Sequence, residues 1–309
     1  MNNTTKAYIK NLLPAQIHTV QVTTSFYDPE MLLTTNGLTL VKSHIDELTG
    51  EVTYDLKYNA SRHNKDWQPL TAREYIDSAD ECLKSCGCDN YYISRIDTAI
   101  DNLSNEFDTA LKLNRYLLTA ICAAYNSMRN NYETRDFITS DNLNCKIASM
   151  NGDIQVEYYN KTADSNRKRY KTPITSRLEF RLSGKLTYEH FKDFYIDMLR
   201  KATKNLELAE QIVNEKLLSK YRDFKSNDMS LKCRINRFII ANADYIYSKR
   251  QMIDLLMRLD TELSHSEALD RATHLKSAHS NTFEFFSKSD MVEYTDTIIK
   301  KLISYGERA

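Results

Sequence analysis

The segment that decides the fold reads YYISRIDTAID and spans residues 91–101. Apolar and polar residues alternate along its second half, so Arg95, Asp97 and Asp101 fall on one side of an extended chain and Ile96 and Ile100 fall on the other. This period of two predicts a β-strand with one face in a core and one face that carries charge. Such a strand needs neighbours whose polar faces continue the same surface.

Two later segments have the same pattern, at residues 154–160 and 176–183. Each places apolar residues on one face, which predicts that both are strands of the same sheet. The polar residues in phase are Glu157 and Tyr159 in the first segment with Lys161 directly after it, and Arg177, Glu179 and Arg181 in the second.

Further strands and helices surround these three segments. A strand is predicted at residues 17–26, and a hairpin is predicted from residues 37–43 and 52–58. Thr71 to Glu74 has the pattern of a capping box and predicts a helix that stops at Gly87. A long amphipathic helix is predicted over residues 107–126. From Thr187 onward the period is 3.6 residues throughout.

Together these patterns predict an α+β protein with a central antiparallel sheet and flanking helices, followed by an all-helical C-terminal region. We place the boundary so that residues 1–204 form the α+β domain and residues 205–309 form the helical domain.

The composition limits the possible functions. The 309 residues are 41% hydrophobic and 27% charged, which is typical of a globular protein and not of a disordered chain. Lys+Arg and Asp+Glu are both 42, so attraction to nucleic acid must come from local patches. With 6 glycines the chain has neither glycine-rich phosphate-binding motif. The absence of a long apolar run and of a signal-peptide pattern predicts a cytoplasmic protein without membrane contact.

The six cysteines are scattered, apart from a cluster at residues 82–88. Cys82, Cys86 and Cys88 lack a clear fourth ligand for zinc, so we expect buried, reduced thiols at a helix end.

The three polar strands carry residues suited to phosphodiester chemistry. If the strands are neighbours, Asp97, Asp101 and Glu179 converge as oxygen ligands for Mg²⁺ or Mn²⁺. A tyrosine beside that cation could attack a phosphodiester and form a phosphotyrosine bond. The alternative is a solvated sheet face on which arginines pair with the carboxylates across strands.

The same motifs carry a resemblance to a known family. RIDTAIDN at residues 95–102, EYYNK at residues 157–161 and SRLEFRL at residues 176–182 resemble, in order, three strand motifs of the trans-acting Rep family of rolling-circle replication initiators. The resemblance spans about residues 15 to 200. Two departures are Asn102, where the family usually has an aspartate, and Asn160, where it has an acidic residue.

The resemblance implies an HUH-like or RRM-like sheet without the paired histidines, and an enzyme that nicks origin DNA. Nicking would leave a 5′-phosphotyrosine and a 3′-OH primer, for rolling-circle replication or transfer of a mobile element. Tyr159 matches the nucleophile, with Tyr158 as the runner-up and Lys161 beside it. The matched acidic positions, Asp97, Asp101 and Glu179, would hold Mg²⁺ or Mn²⁺.

The partners that follow are origin DNA, as duplex and as a single-stranded nick site, together with a helicase and a second copy of the chain as candidates. The residues expected to contact DNA are Arg95, Arg167, Lys168, Arg169, Lys171, Arg177 and Arg181. A helix-turn-helix spacing near Ser264 suggests duplex recognition by the helical region. The alternatives are a non-catalytic, sequence-specific DNA-binding protein on the same scaffold and a helical interaction module unrelated to nucleic acid.

Overall fold

The computed structural model describes residues 3–35, 37–60, 71–130, 144–167, 173–224 and 230–307. Within them lie eight strands: β1 (Leu12–Thr24), β2 (Leu38–Ile45), β3 (Val52–Tyr58), β4 (Tyr91–Asn102), β5 (Met128–Asn130), β6 (Asn144–Ser149), β7 (Ile154–Asn160) and β8 (Ser176–Ser183). The α-helices are α1 (Asn3–Lys10), α2 (Pro29–Thr34), α3 (Ala72–Ser85), α4 (Phe107–Ala124), α5 (Lys161–Arg167), α6 (Tyr188–Lys204), α7 (Leu206–Arg222), α8 (Leu231–Ala241), α9 (Lys249–Leu259), α10 (His265–Ala278) and α11 (Lys288–Glu307).

The strands form one sheet in the order β2-β3-β1-β4-β8-β7-β6-β5, and every neighbouring pair is antiparallel. The predicted fold class is therefore confirmed: an antiparallel sheet with flanking helices is followed by helices alone. β4, β8 and β7 lie side by side near the centre, which brings the three polar strand faces together.

Helices cover the apolar face of this sheet. α3 and α11 pack on β1, and α4 packs on β6 and β7. Tyr195 of α6 contacts Phe180 of β8, and Tyr8 of α1 contacts Tyr158 of β7. The buried apolar residues form one continuous cluster that includes sheet and C-terminal helices. The opposite face is left for polar side chains.

Local sequence signals account for most element ends. Thr71 is the N-cap of α3, since its hydroxyl accepts a hydrogen bond from the Glu74 backbone N–H at 3.0 Å. Gly87 follows the helix with φ of +74°, a backbone conformation that favours glycine. Cys82, Cys86 and Cys88 are buried free thiols at this helix end, as expected.

The boundary predicted at residues 204 and 205 falls at the junction between α6 and α7. The division into two domains stays a prediction. A long-range contact crosses it: the backbone N–H of Ile17 in β1 donates to the Tyr305 hydroxyl of α11 at 3.0 Å. Removal of the helical region would therefore uncover part of the apolar sheet face.

Candidate active site

The polar face of β4, β8 and β7 is ordered in cross-strand rows. In one row Asp101 of β4 lies opposite Arg177 of β8, which lies opposite Tyr159 of β7. In the next row Glu179 lies opposite Glu157. Because directly opposed residues share a face, the antiparallel register brings together side chains that are more than 70 residues apart in sequence.

Arg177 and Asp101 form a two-pronged ion pair at one end of this face. Nε of Arg177 donates to Oδ1 of Asp101 at 2.6 Å, and Nη2 donates to Oδ2 at 2.9 Å. Both side chains are largely buried, so water competes little for these two hydrogen bonds and the guanidinium keeps a fixed orientation. The guanidinium is thereby positioned beside Tyr159 as a fixed positive charge.

Tyr159 points its hydroxyl into this charged row. Its Oη donates to Oε2 of Glu179 at 3.3 Å. Nζ of Lys161 lies 5.6 Å from the ring centroid, over the aromatic face. Burial raises the pKa of the Tyr159 phenol above its ordinary value, whereas the adjacent Arg177 acts to lower that pKa. The Tyr159 side chain thus has a carboxylate that can accept its proton and two cationic side chains beside it.

Tyr158 lies on the opposite face of the same strand. It is fully buried and stacks on Phe107 with ring centroids 5.6 Å apart. Burial raises the pKa of its phenol well above the ordinary value. A phosphodiester could not reach this hydroxyl without opening the core, so the structure favours Tyr159 over Tyr158 as the candidate nucleophile.

Asp97 is the most enclosed acid of the face, with a side chain 2% exposed. Its oxygens accept hydrogen bonds from Arg95 and from Nε of Arg181, the second at 3.1 Å. Arg181 also lies 3.5 Å from Oε1 of Glu179. This arrangement is the cross-strand arginine–carboxylate pairing that the sequence left open as the alternative.

These contacts bear on the cation that the resemblance implies. Within the described residues, no group of three His, Cys, Asp or Glu side chains is placed to hold a metal ion. Asp97 and Asp101 are turned toward arginines instead of toward a common point with Glu179. As arranged here, the three carboxylates do not fit Mg²⁺ or Mn²⁺.

The charge of this face is close to balanced. On β4, β8 and β7 the charged residues are Arg95, Asp97, Asp101, Arg177, Glu179, Arg181 and Glu157. The arginines expected to bind DNA are paired with these acids, so a DNA phosphate must compete for them. Arg167 is the last residue of α5. Lys168, Arg169 and Lys171 lie outside the described residues.

His18 is a further residue of this face that sequence reasoning did not single out. The register between β1 and β4 shifts between Ile17 and Thr19, so His18 is an extra residue in a β-bulge. Its Nδ1 lies 3.2 Å from the Thr19 hydroxyl, and Thr19 is opposite Asp97. Burial, with a contribution from Arg177, lowers the pKa of His18 to about 4. A bulge interrupts the period of two, which hid this histidine from pattern analysis.

In the helical region, α9 and α10 pack against each other, and residues 260–264 join them. Ser264 forms a reciprocal capping box with Glu267 at the start of α10. This is the spacing that suggested a helix-turn-helix, and its role in binding DNA stays a prediction.

Comparisons with known proteins add little to this geometry. No family model and no curated protein matches the chain. Among solved structures, a rolling circle replication initiator protein from Geobacillus stearothermophilus matches with 13% identity and a TM-score of 0.30. The match covers 56% of this chain and 74% of that one. Similarity at this level carries no argument about function. In the part of the chain that the structure describes, no helix has the length and apolar character needed to cross a membrane.

Proposed function

We propose that this protein is a replication initiator that nicks origin DNA, with Tyr159 as the nucleophile. The observation that carries the proposal is the placement of the Tyr159 hydroxyl on the polar sheet face, bonded to Glu179 and beside the Arg177–Asp101 pair. A nucleophile, a proton acceptor and a fixed cation in two adjacent rows supply what tyrosine transesterification needs.

In the proposed reaction Tyr159 Oη attacks the scissile phosphorus and transfers its proton to the Glu179 carboxylate. The bond between phosphorus and the 3′ oxygen breaks as the bond to Tyr159 forms. The leaving 3′ oxygen takes a proton from water and becomes the 3′-OH primer, while the 5′ phosphate stays on the tyrosine. Arg177 and Lys161 stabilise the negative charge on the phenolate and on the phosphate.

The requirement for Mg²⁺ or Mn²⁺ is a separate prediction that rests on the family resemblance. Since Asp97 and Asp101 face arginines in this structure, no step of the proposed reaction passes through a metal ion. Nicking assayed with Mg²⁺, with Mn²⁺ and with EDTA tests the requirement directly. Nicking that continues in EDTA would show that the arginines and Lys161 supply enough positive charge.

A covalent adduct tests the proposed function as a whole. The full chain is incubated with a pool of single-stranded oligonucleotides that contain a randomised segment, and SDS-stable protein–DNA adducts are isolated. We expect tandem mass spectrometry of the tryptic peptide 147–161 to place the phosphate on Tyr159. Adduct sequences enriched from the pool would then define the nick site for duplex-plasmid assays. A chain that binds enriched DNA without any adduct would contradict the proposal.

The non-catalytic DNA-binding alternative is favoured by one observation, the pairing of Arg95, Arg177 and Arg181 with carboxylates. Such pairs stabilise a sheet face without any chemistry. The adduct experiment separates the two functions, because only the nicking enzyme leaves phosphate on tyrosine. A helicase and a second copy of the chain remain proposed partners.

A further inference from the structure

A cleft of about 670 Å³ lies among the helices, where the sheet-covering helices meet the C-terminal ones, and no described residue of the sheet lines it. Its walls come from α4, the end of α6, the starts of α7 and α9, and the segment that leads into α11. This volume is in the range of pockets that take a small-molecule ligand. Nothing in the proposed nicking reaction uses it.

The acidic side chains of the cleft are already occupied. Glu210 is buried and accepts a hydrogen bond from the Tyr116 hydroxyl at 2.6 Å and another from Nη2 of Arg250 at 2.6 Å. Arg250 also pairs with Glu207, and Asp290 accepts from the Ser287 backbone N–H at 2.8 Å. These contacts give each carboxylate a hydrogen-bond or ion-pair partner, and the Arg250 charge offsets one of the three negative charges.

Three lysines at the cleft have no such partners. Lys204, Lys249 and Lys288 are exposed, and none of them forms an ion pair with another described residue. They belong to three different helices, α6, α9 and α11, and converge only in the folded chain. Together with Arg250, the lysines outnumber the three carboxylates of the lining by one charge, so the cleft has a net positive charge suited to an anionic group.

Aromatic residues form the other part of the wall. Phe285 is half-buried and Phe286 is buried, and both precede α11. The cleft therefore offers ammonium groups next to an apolar, aromatic wall. A ligand that matches both has a multiply charged anion attached to a planar or apolar body.

We propose that this cleft binds a nucleoside phosphate, with the phosphates on Lys204, Lys249 and Lys288 and the nucleoside against Phe285. The same chemistry is available from a free nucleotide and from the 5′-phosphorylated end of a DNA strand. The proposal does not depend on nicking and would stand if Tyr159 were inactive.

Isothermal titration calorimetry of the full chain distinguishes the two sources. The ligands are a nucleoside triphosphate, inorganic triphosphate and a 5′-phosphorylated single-stranded oligonucleotide. Tighter binding of the nucleoside triphosphate than of inorganic triphosphate supports a free nucleotide, and oligonucleotide binding that is lost when the 5′ phosphate is omitted supports a strand end. No measurable binding of any of the three at millimolar concentration would overturn the proposal.

Variants separate the cleft from general surface charge. The double variant Lys249→Gln/Lys288→Gln should weaken binding about tenfold, because it removes two charged hydrogen-bond donors. The matched control Lys232→Gln/Lys300→Gln removes two exposed lysines elsewhere and should leave affinity unchanged. Equal weakening by both pairs would show non-specific attraction and refute the site.

Phe285→Leu tests the nucleoside part of the ligand. It should weaken binding of the nucleoside triphosphate and leave inorganic triphosphate unchanged. If inorganic triphosphate binds as tightly as the nucleoside triphosphate and Phe285→Leu changes neither affinity, the nucleotide assignment is wrong.

Discussion

Buried charges have different surroundings on the polar face of the central sheet and in the helical layer that covers its other face. On the polar face, buried acids such as Asp97 and Asp101 are met by arginine forks at hydrogen-bond distance. In the helical layer that covers the other face, the Lys112 ammonium of α4 is buried near Asp244 and Glu284 of the C-terminal region and has no hydrogen-bond partner among the described residues. A buried charge with a well-placed partner recovers part of its desolvation cost and stays ionised, whereas an unpaired one lowers stability. Tyr158 and Tyr159 show the same contrast between adjacent residues of one strand.

Tyr159→Phe should have the largest effect on activity. It removes the only proposed attacking oxygen, so adduct formation should fall below detection while DNA binding and the unfolding midpoint change little. Adduct is measured by SDS gel with labelled oligonucleotide.

Tyr158→Phe is the matched control on the other face. It should keep adduct formation and change the free energy of unfolding by about 1 kcal/mol. The assignment is wrong by one residue if Tyr159→Phe still forms adduct and Tyr158→Phe does not.

Glu179→Gln should lower the single-turnover rate by about 10²- to 10⁴-fold, because the amide cannot take the phenol proton. The variant keeps the size of the side chain and a hydrogen-bond acceptor for Tyr159. Glu157→Gln, opposite Glu179 on β7, serves as a control that removes a carboxylate from the same row. Equal losses of rate in both variants would show that Glu179 contributes only negative charge to the face and is not the acceptor of the phenol proton.

Arg177→Lys should lower the rate by about 10²-fold and move the pH profile of nicking to higher pH. Arg177 acts to lower the pKa of Tyr159, so loss of its fork next to Asp101 raises the pH at which the phenol ionises. Asp101→Asn should move the profile the opposite way, to lower pH, because it removes a negative charge that raises the pKa of Tyr159 and leaves the Arg177 charge unpaired.

Arg95→Lys is the control for this pair, because Arg95 pairs with Asp97 and lies six residues from Asp101 along β4. A pH profile that stays in place in both Arg177→Lys and Asp101→Asn would remove Arg177 from the mechanism.

The sequence predicted the strands β3, β4, β7 and β8 well because strict alternation marks a strand with two unlike faces. It also predicted that Asp101, Arg177 and Tyr159 face the same way. It did not determine whether the carboxylates face a metal ion or arginines, since that depends on strand order and register across the sheet. The helix α1 and the strand β6 were missed because short, mostly polar segments have little periodicity.

Lys112→Met should have the smallest effect on activity and a clear effect on stability. Burial lowers the pKa of Lys112 to about 8, from an ordinary 10.5, so the folded state disfavours its charged form. Below pH 8 the unfolded chain holds this proton and the folded chain binds it at a cost of about 3 kcal/mol, by 1.36 kcal/mol per pKa unit. The cost disappears as the pH rises from about 8 to 10.5, so the wild-type protein should gain stability relative to Lys112→Met over that interval. Urea unfolding of both proteins at pH 7, 8, 9 and 10 measures this difference, in which the titration of other groups cancels. At pH 7 the methionine variant should be the more stable one, and a difference that does not change with pH would show that Lys112 is paired in the folded chain.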